Sequence, residues 1–211
     1  MSKSLTNDFN DIVLQRRSIR EYDPNVKISK DEMTDILEKT VRAPSSVNMQ
    51  PWRFVVVETQ EMKEKLKPLV QFNQKQLDTS SAMIAIFGDL NNFDYAEEIY
   101  GTAVERGLMP AEVKEKQLSF LTEHFGHVEP EVNKRTVLID GGLVSMQLML
   151  IARSHGYDTN PIGGFDREAV SELLNMDKAR YLPIMLLSIG KAAEEGYQSV
   201  RLPVERITEW V

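Results

Sequence analysis

The chain has 211 residues, 42% hydrophobic and 27% charged, with a formal net charge of −7 and no cysteine. That length and apolar content suit one compact domain, spanning residues 1–211, with a sizeable core. The acidic balance argues against nucleic acid or an anionic membrane as the main partner, and the lack of cysteine excludes disulfides, thiolate nucleophiles, iron–sulfur clusters and cysteine zinc sites.

The first residues carry no apolar stretch of the secretory kind, and the most apolar run, Gly141 to Ala152, is too short to span a bilayer. A cytoplasmic location is expected. Asn7 or Asp8 caps a first helix with Phe9, Ile12 and Val13 on one face. RRSIREY follows, Arg16 to Tyr22, and Tyr22-Asp23-Pro24 is a turn signal. If the chain is extended here, Arg16, Ser18 and Arg20 share one side, and Arg17 and Ile19 the other. Two cations and a hydroxyl on one side suit an anion such as phosphate. A solvated basic helix end is the plainer reading of the same residues.

Ser29 and Glu32 form a capping box for a helix to about Thr40, with Met33, Ile36, Leu37 and Val41 at helical spacing. The loop RAPSSVNMQPWRF, Arg42 to Phe54, then leads into a strand at Arg53–Val57. Pro44 and Pro51 stiffen it, and Ser45, Ser46, Asn48 and Gln50 are thereby presented in a set geometry that suits a polar ligand. An ordinary helix-to-strand connection uses similar residues. A helix from Glu61 to about Val70, a short polar helix or loop, and a buried strand Ala82–Phe87 come next.

Residues 91–130 differ in kind. They are helical in propensity, charged, split by Pro110, and carry Phe93, Tyr95, Tyr100, Phe120 and Phe125. This is an excursion from the core, either a lid or a plain surface pair of helices. The longest helix follows, Val132 to His155, and its middle GGLVSMQLMLIA is apolar nearly all round. Such a helix is expected to be buried on every side, within the domain or against a second copy. Gly156 ends it, and Tyr157 to Pro161 leads into PIGGF. Asp166 or Ser171 caps a helix to about Leu174, Tyr181–Ile189 is a strand, and a polar tail carries RLPVERITEWV.

No dinucleotide-binding glycine motif, P-loop or nucleophile elbow is present. His124 and His127 fit a surface pair better than zinc ligands, so no metal is expected. Nothing marks a nucleophile or a dedicated acid and base. An enzyme built on this sequence would have its chemistry carried by a cofactor.

Five ordered pieces resemble the nitroreductase family of flavin oxidoreductases nearly end to end: RRSIREY, APSSVNMQPWRF, FNQKQLDTSSAMIAIFGD, GYDTNPIGGFD and SVRLPVERI. The resemblance implies an α/β (α+β) fold, a mixed sheet flanked by helices, in an intertwined homodimer with two FMN sites at its interface. It implies NAD(P)H as a transient co-substrate, a nitroaromatic or quinone as acceptor, and no catalytic side chain. Arg16, Ser18 and Arg201 would hold the phosphate, with Arg17 contributing backbone or an outer contact. Arg20 would sit near N1 and O2 of the ring. Pro44, Ser45, Ser46 and Asn48 would reach the flavin from the other subunit. Asn73 and Lys75 would meet its polar edge. Pro161, Ile162, Gly163 and Gly164 would pack on one face, with a backbone N–H aimed at N5 or O4. One departure stands out: Gly163 replaces an acidic residue of well-known members, leaving Phe165 to shape the pocket. A flavin-binding protein without NAD(P)H turnover, or other flavin chemistry on the same fold, is the alternative.

Overall fold

The computed structural model describes residues 7–125 and 128–211; His127, half of the histidine pair, lies outside them. Helix α1 (Phe9–Gln15) is capped by Asp8, whose carboxylate accepts the Asp11 N–H at 3.0 Å. The chain then extends, with Ser18 bridged to Thr159 in parallel and Tyr22 to Ala192 in antiparallel sense. Ile19 turns inward, 2% exposed, while Arg20 turns out. Helix α2 (Lys30–Thr40) starts at Ser29, whose hydroxyl accepts the Glu32 N–H. The Glu32 carboxylate itself takes the Tyr157 hydroxyl at 2.7 Å, a tertiary contact.

Strand β1 (Trp52–Val57), helix α3 (Gln60–Leu66), helix α4 (Gln74–Thr79) and strand β2 (Ala82–Asp89) follow. The excursion comprises α5 (Ala96–Glu105) and α6 (Ala111–Phe125), divided at Pro110 as expected. Then come α7 (Pro130–Ser154), β3 (Asp158–Ile162), α8 (Arg167–Leu173), capped by Asp166, and β4 (Tyr181–Gly190). Among the described residues the sheet runs β1-β2-β4-β3 with antiparallel pairs, and the Ser18–Thr159 bridge adds a parallel element.

β3 was not anticipated, because Asn160 and Pro161 read as loop. The structure accommodates them because β3 is an edge strand, where a missing donor costs no ladder bond. Pro183 in the inner strand β4 falls at a register shift opposite Phe87, the other place a sheet tolerates proline.

The sheet has a core layer on each face. Ile84, Ile86, Leu187 and Ile189 pack with Ile36 of α2 and Val144, Leu148 and Ala152 of α7. Met83, Ala85, Phe87 and Leu186 pack with Leu66, Leu77 and Val170. Phe165 belongs to this second layer, with the Arg167 guanidinium over its ring, so it fills core rather than shaping a pocket. α7 lies very close to the sheet: a Cβ on Gly141 would come within 2.2 Å of Ile184 Cδ1.

The expectation that α7 is buried on all sides fails for the single chain. Val137, Val144 and Leu148 are buried, whereas Leu138, Ile139, Leu143 and Met146 are 39–66% exposed. At 25 residues α7 is also longer than its apolar run, and by length and composition alone it could cross a bilayer. Its packing on the sheet accounts for one face of that apolar content, Val137, Val144, Leu148 and Ala152, as core.

One buried charge ties the upper end of the sheet together. Asp89 is fully buried; it accepts Arg53 Nη2 at 3.0 Å, Arg180 Nε and Nη2 at 2.9 Å each, and the Asn91 N–H at 2.9 Å. Its own N–H donates to Pro51 O at 2.6 Å. Tyr95, at the base of the excursion, lies under both guanidinium groups. This cluster fixes the starts of β1 and β4, the end of β2 and the root of α5. Asp89→Ala is expected to lower stability in urea unfolding by about 3 kcal/mol, since it removes the buried carboxylate that Arg53 and Arg180 share and leaves Arg180 only its outer partner Asp94. A loss below about 1 kcal/mol would show the cluster to be peripheral.

Candidate functional site

The extended segment after α1 builds a basic corner. Residues paired across a bridge face the same side, so the side chains of Ser18 and Thr159 do, and alternation adds Arg16 and Arg20. Among the described residues the Arg16 guanidinium has no hydrogen-bond or ion-pair partner. Its pKa lies below the ordinary arginine value, first through burial and then through the charges of Arg201, Arg17 and Arg153, with Asp158 opposing. Arg17 Nη1 folds back onto the Leu14 and Arg16 carbonyls at 2.8 and 2.9 Å. Arg201, in the exposed tail, bonds Ser199 Oγ at 2.7 Å. Arg20 stacks its guanidinium 5.0 Å from the Tyr197 ring centre, and its N–H donates to Glu194 at 2.6 Å. The guanidinium groups of Arg16, Arg17, Arg153 and Arg201, with Asp158 the carboxylate that acts on Arg16, make a site that fits an anion such as a phosphate.

The turn after β3 adds open backbone. Pro161 and Ile162 end the strand, Gly163 and Gly164 are exposed, and a Cβ on Gly163 would meet nothing within 4 Å. Gly164 faces Gln71, a residue at φ 48°, and so touches the 71–76 segment. There Asn73 Oδ1 accepts from Gln76 Nε2 at 3.1 Å, and Asn73 Nδ2 donates to Val70 O at 3.3 Å. Gln76 is buried; sequence reasoning missed it and named Lys75, which is exposed and paired with Glu21 at 2.7 Å.

The loop of Pro44, Ser45, Ser46 and Asn48 forms a second polar corner. Val47, Asn48 and Gln50 all have positive φ (43°, 59° and 48°), each a strain of about 1–3 kcal/mol. Several bonds hold them there. The Ser46 N–H is shared by both Asp140 oxygens at 3.2 and 3.1 Å, Gln50 N–H donates to Ser45 Oγ at 3.0 Å, and Tyr100 Oη donates to Val47 O at 2.9 Å. Asp140, 3% exposed in the middle of α7, has its pKa raised by burial, against which the Ser46 N–H acts. A small pocket beside the loop is lined by Ser46, Asn92, Phe93, Phe125 and Asn133.

These corners lie at opposite ends of the sheet's diagonal. The loop enters β1 at Trp52, which pairs through Gly88 to Leu182; the basic corner joins β3 at Thr159, which pairs to Ile189. Three strand spacings across and the run from Leu182 to Ile189 along β4 separate them by roughly 25 Å. One chain does not bring the predicted residues into a single site. It brings Arg16, Arg17, Ser18 and Arg201 together at one corner, with Gly163, Gly164 and Asn73 joined through Gln71, and sets Pro44 to Asn48 apart.

The Nitroreductase family model matches residues 13–191 of this chain. YdgI of Bacillus subtilis, provisionally named an NAD(P)H nitroreductase, is 64% identical over 205 residues, covering 97% of this chain and 98% of its own. The CLA biosynthesis enone reductase of Lactiplantibacillus plantarum is 36% identical over 208 residues, covering 98% and 96%. A provisionally named nitroreductase of Exiguobacterium sibiricum, crystallised in complex with FMN, superposes with a TM-score of 0.97 at 56% identity over the whole of both chains.

The basic corner makes its own prediction. Inorganic phosphate should raise the melting temperature of the flavin-free protein above that in chloride of equal ionic strength, and Arg16→Ala should lose most of the difference. Equal responses of the two proteins in a thermal-shift titration would mean that no anion site exists there.

Proposed function

The chain belongs to the nitroreductase family, and from that premise we propose that it is a homodimeric FMN oxidoreductase passing electrons from NAD(P)H to nitroaromatic or quinone acceptors in two half-reactions. The observation that carries this reading is the Arg16 corner, where several guanidinium groups gather around one that has no partner among the described residues, at the start of the strand that leads to the open backbone of Gly163 and Gly164. FMN, when bound, supplies the redox chemistry, accepting hydride from the nicotinamide and yielding electrons to the acceptor.

The residues supply binding, orientation and electrostatics. Arg16, Ser18 and Arg201 hold the phosphate through charge-assisted bonds, while Arg17 braces the segment through its carbonyls. Arg20, exposed on Tyr197, supplies a cation for the pyrimidine edge of the ring. Asn73, oriented by Gln76, and Lys75 offer polar groups at that edge. Pro161 to Gly164 present a surface for one ring face, and glycine there lets the main chain approach closely.

The second chain enters through two observations. The loop of Pro44, Ser45, Ser46 and Asn48 is roughly 25 Å from the basic corner of its own chain, too far to complete that site. The bare apolar face of α7, with Leu138, Ile139, Leu143 and Met146, offers the surface against which a second copy would bring it. The whole chain then works as one domain, and the excursion walls the acceptor side beside Ser46.

Gly163 favours a second reading, a flavin-binding protein without turnover, because open space replaces the acidic side chain of well-known members. The enone reductase relative also makes an activated carbon–carbon double bond an acceptor to include in assays. The test is the visible spectrum under nitrogen. A flavin band should bleach on adding NADH or NADPH and return with a quinone, a nitroaromatic or an enone. A bound flavin that neither nucleotide reduces would favour the second reading, and a protein that takes up no FMN would overturn both.

A further inference from the structure

We propose that Arg153 is a further phosphate-recognising guanidinium of the basic corner, through which the site distinguishes FMN from unphosphorylated riboflavin. The inference rests on the FMN reading and adds to it a residue that the sequence motifs do not contain. Arg153 lies in the last turn of α7, and its Nη1 pairs with Asp158, the first residue of β3. Asp158 directly precedes Thr159, the residue bridged to Ser18, so the Arg153–Asp158 pair and the Ser18 bridge meet β3 at adjacent residues.

The group is only partly used by the protein. Asp158 occupies Nη1, and Nε is buried with no hydrogen-bond partner among the described residues. Among the described residues Nη2 has no bond either and, unlike Nε, it is not fully enclosed. The Arg153 charge also lowers the pKa of Arg16, so the two guanidinium groups lie within electrostatic reach of each other. Burying an arginine beside other arginines is unfavourable without an anion, and a phosphate dianion accepts from several guanidinium groups at once. Asp158 would repel that dianion, and its pairing with Arg153 offsets the repulsion. A helix-end cation that merely fastens α7 to β3 would use the same Asp158 contact.

The two roles part on ligand choice. On the full chain stripped of flavin, FMN and riboflavin binding are followed by quenching of flavin fluorescence. Arg153→Met should weaken FMN by roughly tenfold or more and leave riboflavin within about threefold, and Arg153→Lys should recover part of the FMN loss. The double variant Arg153→Met/Asp158→Asn should stay weaker than wild type toward FMN. Equal losses for both flavins, or no loss, would overturn the proposal, because Arg153 would then act on the fold alone. Full recovery in the double variant would also overturn it, leaving Arg153 as a counter-ion to Asp158. Wild-type protein that binds neither flavin would instead overturn the FMN reading itself, and a urea midpoint for each variant separates misfolding from lost recognition.

Discussion

The constraint around which this molecule is best understood is the crowding of like charges at one corner of its sheet. Arg16, Arg17, Arg153 and Arg201 converge where α1, the end of α7 and the start of β3 meet, and Asp158 is the carboxylate set against them. Such a cluster is unfavourable within the protein alone, and the fold brings it together regardless. The Ser18–Thr159 bridge and the burial of Ile19 fix the segment, while the sheet and α7 supply most of the stability around it. The hydrophobic layers therefore hold in place a cluster of like charges that an anion, as in the proposed function, would complete.

The opposite corner repeats that logic with backbone strain instead of charge. Val47 is a β-branched residue at positive φ, the kind of residue least suited to it. Asp140, Tyr100 and Ser45 hold the loop, and Arg53 Nη1 adds a bond to the Gln50 carbonyl at 3.2 Å. Arg53 also belongs to the Asp89 cluster, so the loop is fastened to the sheet end and to the root of the excursion together. A strained loop at one corner and a cationic cluster with excess charge at the other make sense together when a second copy sets them against each other, as proposed above.

Much of this was legible in the sequence, where local chemistry governs. The caps at Asp8, Ser29 and Asp166, the break at Pro110 and the alternation after Arg16 all follow from residue type and spacing. What depends on distant partners was not. β3 was hidden by Asn160 and Pro161, whose place is allowed only because the strand is an edge. The bare face of α7 could not be told from its buried face, since both are apolar. Asp140 and Arg153 flank the apolar run Gly141 to Ala152 in sequence, and only packing shows what each meets. Phe165 looked like a pocket residue from its neighbours and is core.

The measurement that tests the central claim most directly is complementation between two defective chains. One carries Arg16→Ala and Arg201→Ala; the other carries glycine substitutions at Ser45, Ser46 and Asn48. Each is expressed alone and then with the other under separate affinity tags, and the bound flavin of each purified dimer is measured. If each site combines the basic corner of one chain with the loop of the other, the mixed dimer contains one intact site and retains about half the flavin of wild type, while each parent retains little. A mixed dimer as empty as its parents would contradict the account, because it would place both corners in the same site of a single chain.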